Sequence, residues 1–232
     1  MIVWPSATLP AMRRACVVVA KAPQAGYAKT RLVPPLSPEG AARLYAGFLL
    51  DAADVALALA WERVSVIHPV GSRDALAALL PDGLELVEQP ARGLQAALSH
   101  AFESHLALGF DRVVLIGSDN PTLTCEPIVK ACHALDRADV VIGPSVDGGY
   151  YLLGMKRLHP ELFQGIEWST PRVCAQTVAA ARRAGLDVAR VAEWFDVDEA
   201  ADLARLESEL ASSPPDVAPH TRRALEAALT AR

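Results

Sequence analysis

The chain has 232 residues, of which 52% are hydrophobic, 6% aromatic and 21% charged, and its formal net charge is −5. This length suits one large domain with a substantial core, and the many Ala, Leu and Val residues are typical of a helix-rich α/β enzyme. The mild acidity argues against a nucleic-acid-binding protein, which usually carries a basic excess. No apolar run approaches the roughly 20 residues that a membrane helix needs, so we expect no membrane association.

The N-terminal segment and the cysteines bear on the cellular location. Residues 1–13 are predicted to be a loose leader before the first strand. Arg13 and Arg14 precede an apolar run, as in a signal peptide, but the run is only about 5–6 residues long and no small-residue cleavage site follows. The four cysteines form no CxxC pair, and all of them fall in predicted strands or helices. We therefore expect reduced thiols and a cytoplasmic protein.

Apolar strands alternate with amphipathic helices along most of the chain. Strands are predicted at 15–20, 64–68, 84–88, 112–118, 139–144, 150–155 and 187–191. Helices are predicted at 38–60, 72–80, 93–107, 124–136, 170–184, 198–211 and 216–230. Pro38 after Ser37 is typical of a helix start, and so is Pro171 after Thr170. The alternation indicates a mostly parallel sheet with helices on both faces, in a single domain over residues 14–232.

The loop after the first strand, KAPQAGYAKTR, concentrates positive charge where ligands collect in open α/β sheets. It is not a P-loop, because Pro23 and Ala28 stand where that motif needs glycine. Gly26 permits a tight turn, and cations near the start of a helix suit a polyphosphate. The basic residues are Lys21, Lys29 and Arg31. A solvated basic loop is the alternative interpretation.

Carboxylates follow two later strands. Asp119 comes directly after Ser118 at the end of a hydrophobic strand, where it can hold a divalent cation or cap the helix that begins near Thr124. In the DVD segment, Asp196 and Asp198 present two carboxylates to one side if the chain is extended. Asp198 can also serve as the N-cap of the helix that follows it.

The segment SVDGGYY, after the strand at 139–144, is predicted to approach a ligand closely. Its paired glycines, Gly148 and Gly149, leave room for a ligand beside Asp147, although DGG is also a plain hairpin turn. Further along, Trp168 can stack on a substrate and Ser169 and Thr170 can hydrogen-bond to it, or the two hydroxyls can cap a helix.

These segments together resemble a bacterial group of glycosyltransferase-A-like proteins. AKAPQAGYAKTRL, LIGSDNPTLT, GPSVDGGYYLLG, EWSTPRV and FDVDEAADLARL occur in the order seen in that group, and the resemblance covers about residues 14–206. Its members are known as transferases associated with radical-SAM and selenium-domain proteins, and some are assigned to arsenosugar biosynthesis. The resemblance implies an α/β, single-domain nucleotide-diphospho-sugar transferase fold with a mixed, mainly parallel sheet.

The resemblance also implies roles for the residues that match its motifs. Those at the nucleotide would be Lys21, Gly26, Lys29, Arg31 and Ser118. The ligands of Mg²⁺ or Mn²⁺ would be Asp119, Asp198 and Asp196. The sugar or acceptor pocket would hold Asp147, Gly148, Gly149, Tyr150, Trp168, Ser169 and Thr170.

We expect metal-dependent transfer of a glycosyl group from a nucleotide sugar to a small acceptor. The metal on Asp119 would stabilise the departing diphosphate, and Asp147 would be the base for an acceptor hydroxyl. AKTRL and the late DVD also resemble 2-phospholactate and phosphoenolpyruvate guanylyltransferases, which transfer a nucleotidyl group from a nucleoside triphosphate. DGGYYLLG fits that second group less well.

One segment departs from the first family's pattern. ARGLQAALSHAF, at 91–102, has Gln95 and Ala97 where that family often has glycine and arginine, in a region that helps to hold the base or sugar. A non-catalytic nucleotide-binding protein is therefore a third alternative.

Overall fold

The computed structural model describes residues 12–230, which form a seven-stranded sheet with helices on both faces. The predicted leader falls almost wholly outside these residues. The strands are β1 (Arg14–Val19), β2 (Arg63–His68), β3 (Glu85–Glu88), β4 (Arg112–Gly117), β5 (Val140–Pro144), β6 (Tyr150–Met155) and β7 (Val188–Arg190). The helices are α1 (Pro38–Ala58), α2 (Arg73–Leu79), α3 (Leu94–Ala107), α4 (Cys125–Ala134), α5 (Val173–Arg183), α6 (Ala200–Ser212) and α7 (Pro219–Thr230). Short 3₁₀ helices lie at Thr30–Leu32 and Pro160–Phe163.

The sheet is mainly parallel, as expected. Its strand order is β3-β2-β1-β4-β6-β5-β7, and β6 runs antiparallel to both β4 and β5. The strands β1 and β4 are paired side by side near its centre and are buried almost throughout. Burial on both faces explains why RACVVV and RVVLIG contain apolar runs rather than an alternating pattern. The carboxyl ends of β1 and β4 and the start of β6 therefore lie at one edge of the sheet.

Successive residues of β1 point into two different cores. Cys16 and Val18 pack with α1, α4, α6 and α7 on one face, whereas Ala15 and Val17 pack with α3 and α5 on the other. Large buried side chains from these helices include Phe48, Ile128, Leu206 and Leu225 on the first face and Phe102 and Val178 on the second. The two cores fix the sheet, and so fix the loops at its edge.

The predicted strands are confirmed to within one residue and the predicted helices to within three. Ser37 caps α1 as expected, since its Oγ accepts a hydrogen bond from the Gly40 N–H at 3.0 Å. The prediction that Thr170 and Pro171 start a helix is wrong, because α5 begins at Val173. The Thr170 hydroxyl instead donates to the Glu167 carbonyl at 2.7 Å, which holds this segment in a turn.

The start of α6 leaves the side chain of Asp198 free for other contacts. The N-cap is Glu199, which forms a capping box with Asp202. The Asp202 carboxylate also accepts a hydrogen bond from the Asp198 N–H at 2.9 Å. The alternative in which Asp198 caps this helix is therefore wrong.

The last helix, α7, is fastened to α1 by a buried carboxylate. Asp51 is 2% exposed and accepts hydrogen bonds from the backbone N–H groups of His220 at 3.0 Å and Thr221 at 2.8 Å. The two helices approach closely at Gly47, where a Cβ atom would lie 3.0 Å from the His220 carbonyl oxygen. Asp51 thus satisfies N–H groups that the first turn of a helix leaves without partners.

The four cysteines are free thiols, and three of them are buried. Within residues 12–230, no helix has both the length and the apolar character required to cross a membrane.

Candidate functional site

A cleft of about 590 Å³ opens at the carboxyl ends of β1 and β4. Its walls come from the loops after these strands, the first turns of α3, the β5–β6 turn, the segment before α5 and the segment before α6. The predicted site residues that line it are Lys21, Arg31, Ser118, Asp119, Asp147, Gly149, Tyr150, Ser169, Thr170, Asp196 and Asp198. Gly26, Lys29, Gly148 and Trp168 are not among its lining residues.

Two cations from the first loop line the cleft. The Lys21 ammonium lies 5.8 Å from the ring centres of Tyr27 and Tyr45. The Arg31 side chain is 68% exposed and its guanidinium lies 3.2 Å from a Glu199 carboxylate oxygen, so this contact is a surface ion pair. The buried Tyr45 holds the two loops that follow β1 and β4 together, a role that was not predicted from the sequence. Its hydroxyl accepts a hydrogen bond from the Lys21 N–H at 3.2 Å and pairs with the Ser118 hydroxyl at 2.8 Å.

The third predicted cation, Lys29, lies behind the cleft wall. Its side chain is 2% exposed, and its Nζ lies 2.5 Å from Asp119 Oδ1 and 2.7 Å from Asp198 Oδ1. Burial opposes the charged form of Lys29, but the two carboxylates outweigh it and raise the pKa of the ammonium. Lys29 therefore joins the loop after β4 to the loop before α6.

Backbone geometry directs Lys29 to this position. Lys29 has φ of 50°, in the left-handed region, immediately before the 3₁₀ helix Thr30–Leu32. Its ammonium also lies 5.6 Å and 5.7 Å from the ring centres of Tyr45 and Phe48, which are cation–π distances. A left-handed lysine is uncommon, so its buried contacts must offset the backbone cost.

Three carboxylates of the cleft lie close together. Each of Asp147, Asp196 and Asp198 offers an oxygen within 4.8 Å of the others. Burial, together with the charge of Asp147, raises the pKa of Asp196 to about 7. Burial alone would raise the pKa of Asp198, but the nearby cations, led by Lys29, lower it below its usual value.

Two neutral side chains hold Asp196 in this group, and neither was predicted. The Asn120 side-chain amide donates to Asp196 Oδ1, and the Ser145 hydroxyl donates to the same oxygen at 3.1 Å. Asn120 also donates to the Phe195 carbonyl at 2.8 Å. The signal for Asn120 was present in the sequence, because it directly follows Asp119 at the end of β4.

The donor set of Asp147, Asp196 and Asp198 fits a hard divalent cation. Carboxylate oxygens are the ligands that Mg²⁺ and Mn²⁺ prefer. The space between Asp119 and Asp198 holds the Lys29 ammonium. Asp147, Asp196 and Asp198 would hold the ion, which would neutralise charge on a bound diphosphate or triphosphate.

The β5–β6 turn shows why glycine is required beside Asp147. Gly148 has φ of +88°, and a Cβ atom there would lie 2.1 Å from the Pro171 carbonyl oxygen. The Gly149 N–H donates to Asp147 Oδ1 at 2.8 Å, and the Gly148 carbonyl accepts from the Cys174 N–H at 3.0 Å. The segment is thus both a hairpin turn and part of the cleft wall. Trp168 packs against the core beneath α5 instead of lining the cleft.

Comparisons with known proteins agree with this architecture. A solved structure from Desulfovibrio desulfuricans G20, provisionally named a nucleotide-diphospho-sugar transferase, has 31% sequence identity and a TM-score of 0.84, covering 91% of this chain and 95% of its own. The manganese complex of Rv0371c from Mycobacterium tuberculosis H37Rv has 17% identity and a TM-score of 0.53, covering 87% of this chain and 100% of its own, which is a likeness of fold alone. The expected fold is confirmed.

A curated relative and a family model also match. The 2-phospho-L-lactate guanylyltransferase of Methanothermobacter thermautotrophicus is 37% identical over 124 residues, which are 53% of this chain and 54% of that protein. The chain thus spans about half the length of the curated relative it matches. Residues 51–170 match the family described as "Uncharacterized protein conserved in bacteria (DUF2064)". With about half of its residues covered by that model, and with a transferase-like fold around the cleft, the chain belongs to the DUF2064 family.

Proposed function

We propose that the protein is a metal-dependent nucleotidyltransferase, which joins a nucleoside triphosphate to a small phosphorylated acid and releases pyrophosphate. The observation that carries this proposal is the pairing of opposite charges across one cleft. Lys21 and Arg31 supply cations, and Asp147, Asp196 and Asp198 supply ligands for a divalent ion. A triphosphate needs both, since its charge must be balanced while it is held and split.

The similarity to a guanylyltransferase supports nucleotidyl transfer over glycosyl transfer, and makes GTP the first donor to test. The acceptor chemistry supports the same choice. A phosphate acceptor is already an oxyanion, so its oxygen can attack the α-phosphorus without a base. As it attacks, the bond between the α-phosphorus and the bridging oxygen breaks, and pyrophosphate leaves with the electron pair.

Several residues that line the cleft then have roles in this reaction. Lys21 and Arg31 bind the triphosphate and share the charge that develops on the leaving pyrophosphate. Asp147, Asp196 and Asp198 hold the divalent ion, and Asp119 lines the cleft with its side chain 37% exposed. Gly149 and Tyr150 form the wall beside Asp147, where the acceptor would lie.

The test is release of pyrophosphate from GTP, ATP, CTP or UTP in the presence of 2-phospholactate or phosphoenolpyruvate, with Mg²⁺ or Mn²⁺. We expect release with at least one donor only when acceptor and metal are both present. An Asp147→Asn variant should lose the activity, whereas Lys130→Met, at an exposed ion pair on α4, should retain it. Failure of every combination would contradict the proposal.

Glycosyl transfer remains a second candidate because of the name given to the Desulfovibrio protein. In that reaction Asp147 would take the proton of an acceptor hydroxyl. Release of a nucleoside diphosphate from a nucleotide sugar, with no pyrophosphate from any triphosphate, would favour it. Nucleotide binding without turnover of either donor class would favour a non-catalytic binding protein.

A further inference from the structure

A smaller pocket of about 260 Å³ adjoins the cleft. Five residues line both spaces, namely Arg31, Asp147, Asp196, Asp198 and Glu199. The three aspartates thus belong to the walls of both. An ion that they hold can also take ligand atoms from the smaller pocket, because Mg²⁺ in proteins usually keeps positions for water and substrate phosphates. The residues that line the smaller pocket but not the cleft are Val146, Phe195, Asp202 and Arg205.

Arg205, in α6, brings an unpaired cation to this pocket. Its guanidinium carbon lies 4.1 Å from the ring centre of Phe195, which is a cation–π distance. Phe195 is 4% exposed and directly precedes Asp196, so the stack holds the guanidinium near the three aspartates. Among the described residues, no carboxylate or carbonyl group forms an ion pair or a hydrogen bond with this guanidinium. Its N–H donors are therefore available to a ligand.

The acidic residues of the smaller pocket do not exclude an anion once a divalent ion is bound. Asp202 already accepts hydrogen bonds from the N–H groups of Asp198 at 2.9 Å and Glu199 at 2.7 Å. Glu199 also lies 3.2 Å from Arg31, and this exposed ion pair is weak enough to open so that Arg31 can bind a more highly charged anion. The three aspartates repel an anion until a divalent ion offsets their charge. An anion should therefore enter this pocket only together with the ion.

Two arginines beside a site for a divalent ion suit a ligand with several phosphate oxygens, since a guanidinium can bind such oxygens through two parallel hydrogen bonds. In phosphoryl transfer the attacking and the leaving oxygens lie roughly in line on opposite sides of the phosphorus. The acceptor is assigned to the wall at Gly149 and Tyr150, which line the cleft but not the smaller pocket. The smaller pocket is thus a separate space for the leaving group.

We propose that the smaller pocket binds the terminal phosphates of the nucleoside triphosphate, and then the released pyrophosphate, with Arg205 and Arg31 as its cations. This inference rests on the proposed function for the identity of the donor. It adds Arg205 to the phosphate-binding residues, although no motif in the sequence indicated it.

The test is calorimetric titration of inorganic pyrophosphate, GTP, GMP and phosphoenolpyruvate into the full chain with Mg²⁺. Arg205→Met should weaken pyrophosphate and GTP binding by about tenfold, because one charged contact to phosphate is lost. It should leave GMP and phosphoenolpyruvate binding unchanged. Arg137→Met is the matched control, because Arg137 is exposed between α4 and β5, at the opposite edge of the sheet. A chelator should abolish pyrophosphate binding by the wild type.

Equal pyrophosphate affinities in the wild type and Arg205→Met would overturn the inference, and so would a wild type that binds no pyrophosphate. A loss confined to phosphoenolpyruvate would assign the pocket to the acceptor phosphate and would overturn it as well. If Arg205→Met does not fold, Arg205→Lys replaces it. Lysine keeps the charge without the planar fork, and this variant should still bind pyrophosphate more weakly than the wild type.

The outcome is separable from that of the proposed function, because binding is measured without turnover. A protein that binds pyrophosphate through Arg205 but transfers no nucleotidyl group would contradict the proposed function alone. A working nucleotidyltransferase whose pyrophosphate affinity does not change in Arg205→Met would contradict this inference alone.

Discussion

The ionisation of the buried carboxylate of Asp196 affects the stability of the folded protein. Burial and then the charge of Asp147 raise its pKa to about 7, from a usual value of 3.8. A raised pKa means that the folded state binds the proton more tightly than the unfolded state does. The resulting stability is fully present below about pH 4 and is lost as the pH rises through about 7.

Replacing Asp196 by asparagine should therefore stabilise the metal-free protein more at pH 8 than at pH 5. Asparagine can still accept from Asn120 and Ser145 but cannot ionise. We expect the difference in unfolding free energy between variant and wild type to grow by about 1–3 kcal/mol across this range. Urea unfolding in a chelating buffer measures it. A difference that is equal at both pH values would contradict the assignment.

Lys21 is expected to contribute directly to nucleotide binding, since it is a cation on the cleft wall. Lys21→Met should weaken nucleoside triphosphate binding by about tenfold, or about 1.4 kcal/mol, because one charged contact to phosphate is lost. Calorimetric titration measures the affinity. Lys130→Met is the matched control, because Lys130 pairs with Glu126 on the surface of α4. Equal affinities in the two variants would show that Lys21 does not contribute to nucleotide binding.

At the scale of elements, the hairpin between β5 and β6 depends on one glycine. Gly148→Ala places a methyl group against the Pro171 carbonyl, so the turn must shift and move Asp147 with it. We expect a loss of about 3 kcal/mol or more in stability, together with weaker Mn²⁺ binding. Gly185→Ala is the control, because Gly185 also has positive φ, +71°, but open space around it. Its cost should be only about 1 kcal/mol.

The attachment of α7 to α1 can be tested in the same way. Asp51→Ala leaves two N–H groups at the start of α7 without their acceptor and should cost about 2–3 kcal/mol. Asp54→Ala is the control. It removes a carboxylate 3.0 Å from His220 that is half exposed, and should cost less than about 1 kcal/mol. Thermal unfolding measures the loss of stability in both variants. Equal losses would show that Asp51 does not fasten the helix.

Element types followed from local pattern, but contacts across the sheet did not. The apolar runs at β1 and β4 predicted buried strands, and Ser37-Pro38 predicted the start of α1. The sequence left two roles open for Asp198, metal ligand and N-cap. The structure decides against the cap, because Glu199 and Asp202 form the capping box of α6. The contacts of Lys29 could not be predicted from the sequence. Its partners lie 90 and 169 residues away in sequence, and only the folded sheet brings them together.

At the scale of the whole molecule, the sheet brings charges from distant segments to one edge. Lys21 follows β1, Asp119 follows β4, Asp147 lies between β5 and β6, and Asp196 and Asp198 precede α6. Asp147 lies at the same edge because it follows the carboxyl end of β5, which runs in the same direction as β4. A triphosphate can therefore lie between the cations and the carboxylates of the cleft, and the acceptor can lie beside the glycine turn.

If the protein is a nucleotidyltransferase, the α-phosphorus of a nucleoside triphosphate moves to an acceptor in this cleft. The direct measurement is incubation with GTP labelled at the α-phosphorus, a small phosphorylated acid and Mg²⁺, followed by separation of the products. We expect the label to enter a new compound that contains the acceptor, with unlabelled pyrophosphate formed in equal amount. Label that stays in GTP, while the same protein transfers sugar from a nucleotide sugar, would contradict it.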